Sequence, residues 1–123
     1  MRVALGDNAG IGGFIITGSV PKHVIIRAIG PSLTSFGFPA SELLADPTLE
    51  LRDGNGVVLI ANNDWQDNPT QAAELIAAGL APAHQLESGV AAILPPGPYT
   101  ALLAGLNNGT GIGLVEVYDR GAP

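Results

Sequence analysis

The sequence predicts one all-β domain, an antiparallel β-sandwich of about seven to nine strands with one short inserted helix. Three observations favour this fold class. Hydrophobic residues make up 46% of the 123-residue chain, which is enough to close a single core. The apolar runs are short and rich in β-branched residues. The 17 glycines and 10 prolines fall between those runs, as turns do in jelly-roll or Greek-key sandwiches. Residues 1–123 are therefore expected to form one module.

The strands are predicted from the alternation of apolar runs and turn residues. The expected strands cover residues 3–5, 11–17, 23–29, 48–52, 57–60, 89–94, 98–106 and 112–118. The hairpin within residues 48–60 has the strongest local support, because the DGNG turn at residues 53–56 supplies residues that accept positive φ. Residues 31–45 are expected to be irregular, with a helical turn at residues 41–44.

One helix is predicted from Pro69 to Ala78. Asn68 is a favoured N-cap, Pro69 suits the first helical position, and Gln71 stands where a capping box requires it. Gly79 is typical of the residue that follows a helix. The helix therefore interrupts the row of strands between residues 60 and 89.

Composition and charge narrow the range of partners. The formal net charge is -6, and the five basic residues are dispersed, so nucleic acid is not expected as a partner. No apolar run is long enough to span a bilayer, so no membrane insertion is expected. Charged residues are only 13% of the chain, which suggests that part of the surface is covered by another module or another copy. The start lacks the pattern of an export signal, which would lie outside these residues.

The loop before the helix is the first candidate site. Asn63, Asp64 and Asp67 offer the hard oxygen ligands that calcium takes. Their spacing does not match a helix-loop-helix calcium motif, and Asp and Asn are also common in turns because they bond to nearby backbone. Calcium binding and turn formation both remain open explanations of this composition.

Trp65, the only tryptophan, lies in the same loop. Its ring could stack on a sugar, in which case this loop would contact a glycan. Glycan-binding faces generally carry several aromatic residues, and this chain has few. A single tryptophan beside a helix N-terminus more often covers the edge of a core, which is the favoured interpretation.

Arg27 interrupts an otherwise apolar predicted strand, where a charge is costly unless it is paired. Glu116 in the last strand and Glu50 in the hairpin are the candidate partners, and Arg27 with Glu116 is expected to form a structural ion pair. No nucleophile, base and orienting group occur in a recognisable arrangement, so the chain is not expected to be an enzyme.

Several strings resemble an uncharacterised β-rich module that is repeated in large exported proteins of Verrucomicrobia and Planctomycetes. They are RAIGPSL at residues 27–33, ADPTLELRDGNG at 45–56, NDWQD at 63–67, Glu87-Ser88, LPPGPYTALL at 94–103 and VEVYD at 115–119. The resemblance implies a bacterial extracellular or cell-surface location and carries no catalytic residues with it.

A more distant resemblance is to the bacterial pre-peptidase C-terminal domain, carried by the hairpin and the LPPGPYTALL string. It implies a jelly-roll-like sandwich, and it implies calcium or polysaccharide contacts at Asp53, Asn55 and Asp64.

The expected function is therefore that of a non-catalytic extracellular assembly module. It would pack with sister modules or identical subunits in a surface layer, stalk or filament, without a cofactor unless calcium binds. The leading residues Arg2, Val3, Ala4 and Leu5 are the candidate donor strand for exchange between copies. The alternative is a carbohydrate-binding or cell-surface-binding accessory module that depends on calcium and binds polysaccharide through Trp65.

Overall fold

Two antiparallel sheets pack face to face in the computed structural model, which describes residues 2–3 and 10–123. The predicted all-β sandwich with one short helix is confirmed. The described elements are β1 (Arg2–Val3), β2 (Gly10–Ile16), β3 (Lys22–Ile29), β4 (Pro47–Asp53), β5 (Val58–Asn62), α1 (Pro69–Ala77), β6 (Ser88–Leu94), β7 (Gly97–Gly105), β8 (Gly111–Ile112) and β9 (Leu114–Asp119).

The larger sheet has the strand order β2-β7-β4-β5, and the smaller one has the order β6-β3-β9. A short separate pair joins β1 to β8. Except at the β4–β5 hairpin, the next long strand along the chain always belongs to the other sheet. This crossing closes the core between the two layers, because each sheet must bury one apolar face.

The core lies between the two sheets, and the period-two alternation of the strands builds it. From β3, the side chains of Val24, Ile26 and Ala28 enter this core. From the larger sheet, Leu49 and Leu51 of β4 meet them, together with Ala101 and Leu103 of β7. All of these side chains are buried, so the sequence strongly specifies which face of each strand points into the core.

Helix α1 covers the outer face of the smaller sheet and adds a third layer. Ile25 of β3 and Ala91 of β6 point away from the main core, and they pack against Leu75, Ala72 and Trp65 in a second apolar cluster. This is why β3 and β6 are apolar on both faces, whereas β4 alternates between buried and partly exposed residues.

The ends of α1 follow the predicted chemistry. Asn68 Oδ1 accepts a hydrogen bond of 3.1 Å from the backbone N–H of Gln71. Gly79 has a φ of +71°, and the N–H groups of Gly79 and Leu80 donate to the carbonyls of Ile76 and Leu75. This is the Schellman arrangement.

Two segments differ from the predicted elements. Residues 112–118 were predicted as one strand, but the chain changes partners at Gly113. Ile112 pairs with β1 and bridges Leu43, whereas Leu114 begins the pairing with β3. A side chain at Gly113 would approach Leu103 and Leu44, so the backbone passes close to the core there. Residues 31–45 were predicted to be irregular with one helical turn at residues 41–44. They contain two 3-10 segments instead, at Pro31–Phe36 and Ala40–Glu42.

Candidate functional site

The loop from Asn62 to Asn68 lies beside the starts of β4 and β6. In the β4–β5 hairpin, Leu49 pairs with Asn62, so the residues before β4 lie near those after β5. Ser88 at the start of β6 joins them: its Oγ is 2.6 Å from the carbonyl oxygen of Pro47 and 3.1 Å from that of Asn62. It is also within hydrogen-bond distance of the Asn63 carbonyl oxygen.

Trp65 is buried in the cluster beneath α1, with 8% of its surface exposed. Its backbone N–H donates to the Glu87 carbonyl oxygen at 2.9 Å, which holds the residue against the sheet. Because a sugar ring needs an open aromatic face, this burial favours the packing role over a glycan contact. Its indole Nε1 is buried and has no hydrogen-bond partner among the described residues.

The structure separates the three residues predicted as calcium ligands. Asp67 is exposed, whereas Asn63 and Asp64 are half-buried. The Oδ1 atoms of Asn63 and Asp64 are both buried without a hydrogen-bond partner in the part of the chain that the structure describes. A third oxygen of the same kind, Oδ1 of Asp46, belongs to a residue that sequence reasoning did not single out.

Asp46 is electrostatically coupled to this loop. Burial raises the pKa of the Asp46 carboxyl, the nearby Asp64 raises it further, and His84 opposes the shift. Across residues 2–3 and 10–123, no group of three or more His, Cys, Asp or Glu side chains is arranged to hold a metal ion. The oxygens gathered here come from two carboxylates and one amide.

Glu87 is a fully buried carboxylate in the same region. Its Oε2 accepts hydrogen bonds from the backbone N–H of Gly30 at 2.8 Å, and from the N–H and the Oγ of Ser32 at 3.0 and 2.6 Å. Its Oε1 accepts from the His84 N–H at 3.2 Å. Four donors therefore compensate the burial of this charge, and its role is to fix the chain after β3.

Arg27 and Glu116 lie opposite each other on β3 and β9, on the outer face of the smaller sheet. Arg27 Nε is 2.9 Å from Glu116 Oε1, and Arg27 NH2 donates to Tyr118 Oη at 3.0 Å. Burial and a hydrogen bond with Glu116 are the leading causes that raise the pKa of Tyr118. The other candidate partner, Glu50, pairs instead with Arg52 on β4.

The residues implied by the distant resemblance, Asp53, Asn55 and Asp64, have different environments. Asp53 Oδ1 accepts from the backbone N–H groups of Asn55 and Val57 at 2.8 and 3.0 Å. That carboxylate oxygen therefore closes the β4–β5 turn, which is the ordinary use of an aspartate at this position. Only Asp64 of that set belongs to the cluster of unpartnered oxygens.

The segment predicted as a donor strand is only partly described. Arg2 pairs with Ile112 and Val3 pairs with Gly111 of the same chain, over two residues. Ala4 and Leu5 lie outside the described residues.

The sandwich has an open side where the edges of its two sheets approach each other. Among the described strands, β2 pairs with β7 alone, and β9 pairs with β3 alone. A slot of about 290 Å³ lies between them, lined by Phe14, Ile16, Val24 and Val117, with Lys22 and Asp119 at its rim. Ile11 and Ile15 of β2 are 62% and 72% exposed.

No protein-family model matches the chain, and no curated protein or solved structure is significantly similar to it. The resemblance of its RAIGPSL and VEVYD strings to modules of exported proteins therefore stays a prediction. None of the described helices is long and apolar enough to cross a bilayer.

Proposed function

We propose that this chain is a non-catalytic extracellular structural module that assembles with identical subunits or sister modules. The observation that carries the proposal is the open side of the sandwich, where β2 and β9 lie at sheet edges with no second strand partner among residues 2–3 and 10–123. A free edge presents unpaired backbone N–H and C=O groups, which can pair with a strand from another chain.

The side chains of these two edge strands favour a protein partner over water. Ile11 and Ile15 project into solvent from the face of β2 opposite the core residues Phe14 and Ile16, and Leu114 and Val117 of β9 are also exposed. The only described ion pair at the slot joins Lys22 to Asp119 at its rim, at 2.8 Å. Proteins that avoid association usually place charges, prolines or bulges on such edges.

The edge of β6 provides the contrast within the same molecule. Gly89 N–H donates to Asn62 Oδ1 at 3.0 Å, and Ala91 N–H donates to Gln71 Oε1. Side-chain amides from the end of β5 and from α1 therefore satisfy these two donors of the edge. Because these two N–H groups of β6 already have partners and β2 carries exposed isoleucines, the β2 and β9 edges are better sites than the β6 edge for pairing with a second chain.

Strand exchange is the form of assembly that the leading segment supports. The pairing of β1 with β8 spans only two residues, so releasing it costs few backbone hydrogen bonds. A released segment from one copy would pair with an edge of the next, and repetition of this contact would give a filament or layer.

The test is the mass of the purified chain in solution, measured by light scattering at two concentrations, with negative-stain microscopy of the same samples. We expect concentration-dependent oligomers. Ile15→Lys places a charge on the β2 edge and should reduce association. Ile76→Lys is the matched control, because Ile76 is 61% exposed on α1, away from that edge.

Two outcomes would contradict the proposal. A monomer at every concentration would exclude self-assembly of this unit. Equal loss of association in both lysine variants would show that general surface hydrophobicity, and not the β2 edge, drives it. Deletion of residues 1–5 then distinguishes strand exchange from direct packing at the β2 and β9 edges, because only strand exchange requires that segment.

A further inference from the structure

Three buried side-chain oxygens that have no hydrogen-bond partner among the described residues lie at one end of the β4–β5 hairpin. They are Oδ1 of Asp46, just before β4, and Oδ1 of Asn63 and of Asp64, just after β5. A buried acceptor that is left unpaired costs about 1–3 kcal/mol, and a charged one costs more. Three such atoms at one junction are therefore unusual unless something else satisfies them.

Three backbone carbonyl oxygens of this junction converge on one hydroxyl group. The carbonyl oxygens of Pro47, Asn62 and Asn63 all lie within hydrogen-bond distance of Ser88 Oγ, which is fully buried. A hydroxyl group has a single proton and can donate to one of these carbonyls at a time. Oxygen atoms of both side chains and backbone therefore gather at this junction.

We propose that Asp46, Asn63 and Asp64 bind one divalent cation of the calcium type through these three oxygens. A divalent cation is coordinated by several oxygen ligands at once, whereas a single donated proton satisfies only one acceptor. It also compensates the repulsion between the carboxylates of Asp46 and Asp64. An anion would meet further lone pairs here and is disfavoured.

The chemistry of the ligands selects calcium among the common metals. Two carboxylates and an amide oxygen form a hard, all-oxygen set, and nearby carbonyls add to it. Calcium accepts irregular arrangements of oxygen atoms, whereas magnesium requires a nearly ideal octahedron. The ligand set also differs from the sequence prediction, because Asp46 replaces the exposed Asp67.

The first test compares thermal unfolding of the whole chain in excess chelator with unfolding in increasing calcium chloride. A ligand that binds only the folded state raises the midpoint continuously with its concentration. We expect such a rise for calcium, a smaller one for magnesium at equal ionic strength, and none for sodium. Titration calorimetry should give one ion per chain.

The variants separate the proposed ligands from the rest of the loop. Asp46→Asn keeps the shape of the side chain and removes one charge. It should lower calcium affinity at least about tenfold and raise the unfolding midpoint in chelator, because it relieves the repulsion from Asp64. Asp64→Asn should also weaken binding. Asp67→Asn is the matched control and should leave the calcium response unchanged.

A direct probe is available because Trp65 follows Asp64 in the sequence. Terbium, which replaces calcium at oxygen sites, should luminesce when the only tryptophan is excited, and calcium should quench this signal by competition. Identical unfolding in calcium and chelator, without terbium luminescence, would overturn the proposal and indicate that water satisfies these oxygens. Equal loss of the response in Asp67→Asn and Asp46→Asn would also overturn it.

Discussion

Asn62 Oδ1 accepts a 3.0 Å hydrogen bond from the backbone N–H of Gly89, so the side chain of the last residue of β5 satisfies a donor on the edge of β6. The Nδ2 of the same residue donates to the Asp64 carbonyl oxygen at 3.0 Å. One amide therefore joins the edge of the smaller sheet to the loop that carries Trp65.

Replacement of Asn62 by alanine should destabilise the fold by about 1–3 kcal/mol, because the Gly89 N–H is left without its partner. Urea unfolding followed by circular dichroism measures this loss. Gln66→Ala, an exposed amide in the same loop, is the control and should change stability by less than about 0.5 kcal/mol. Equal effects in the two variants would show that the Asn62–Gly89 bond adds nothing.

The buried carboxylate of Glu87 supports a second prediction. Glu87→Gln keeps the volume but replaces one accepting oxygen with an NH₂ group, which then faces a donor: either His84 N–H or the Gly30 and Ser32 groups. We expect a loss of about 2–3 kcal/mol in the free energy of unfolding. The exposed Glu42 offers the matched change Glu42→Gln.

If the two glutamine variants unfold at the same urea concentration, the four hydrogen bonds to Glu87 do not contribute to stability. A lower midpoint with an unchanged dependence on urea would instead confirm a loss of native interactions, since that slope reports the surface exposed on unfolding.

Local chemistry explains which parts of the fold could be predicted from the sequence. The DGNG hairpin and the capped helix each depend on residues a few positions apart, and both are present as expected. Gln71 shows the limit of such patterns. It occupies the capping-box position, but its side chain accepts from Ala91 N–H on the edge of β6, because that group has no partner among the described strands.

Long-range contacts explain what the sequence pattern could not provide. Gly30 and Ser32 donate to a carboxylate 57 and 55 residues away, so nothing local identifies Glu87 as their partner. Asp46 is similarly remote from Asn63 in sequence, and only the β4–β5 hairpin brings them together. The only sequence signals for this cluster were Asp46 directly before β4 and the Asn63-Asp64 pair directly after β5.

Two of the strings that carry the resemblance, RAIGPSL and VEVYD, have structural explanations here. In RAIGPSL, Arg27 pairs with Glu116, and Gly30 and Ser32 bind Glu87. Gly30 also lacks space for a side chain, because a Cβ there would overlap the Leu44 carbonyl oxygen. The VEVYD string supplies the Arg27 partners from β9. These two strings therefore specify how β3 is held against β9 and the chain that follows it.

Trp65 gives a third prediction, which distinguishes packing from glycan contact. Trp65→Ala should cost about 3–5 kcal/mol, because it removes a large side chain from the cluster with Ile25 and Leu75. Trp65→Phe should cost less, since it keeps an aromatic ring and removes an indole N–H that has no described partner. Chemical unfolding followed by circular dichroism compares both variants with the wild type.

The relative stabilities of Trp65→Phe and Trp65→Ala distinguish packing from glycan contact. A packing residue gives a graded loss of stability from phenylalanine to alanine. A ring used only for glycan contact would leave stability unchanged in both variants and would abolish glycan retention in Trp65→Ala. The native fluorescence of the wild type should also shift to longer wavelength on unfolding, as a buried indole becomes hydrated.

The pair of Asp119 with Lys22 predicts how stability depends on pH. The hydrogen bond from Lys22 Nζ, at 2.8 Å, and a second one from the Gly121 N–H hold the pKa of the Asp119 carboxyl below its ordinary value. The folded state therefore binds this proton less readily than the unfolded state does. The contribution to stability is complete above the unfolded pKa and is lost as the pH falls through the folded pKa.

Asp119→Asn should remove this part of the acid-dependent loss, so its stability should fall less steeply than that of the wild type at acidic pH. The two proteins should differ most near neutral pH and converge at strongly acidic pH, where Asp119 of the wild type is also protonated. Urea unfolding at a series of pH values measures the difference, which high salt should reduce because the pair is exposed. Glu42→Gln is the control; the same flattening in that variant would assign the effect to net charge and not to Lys22.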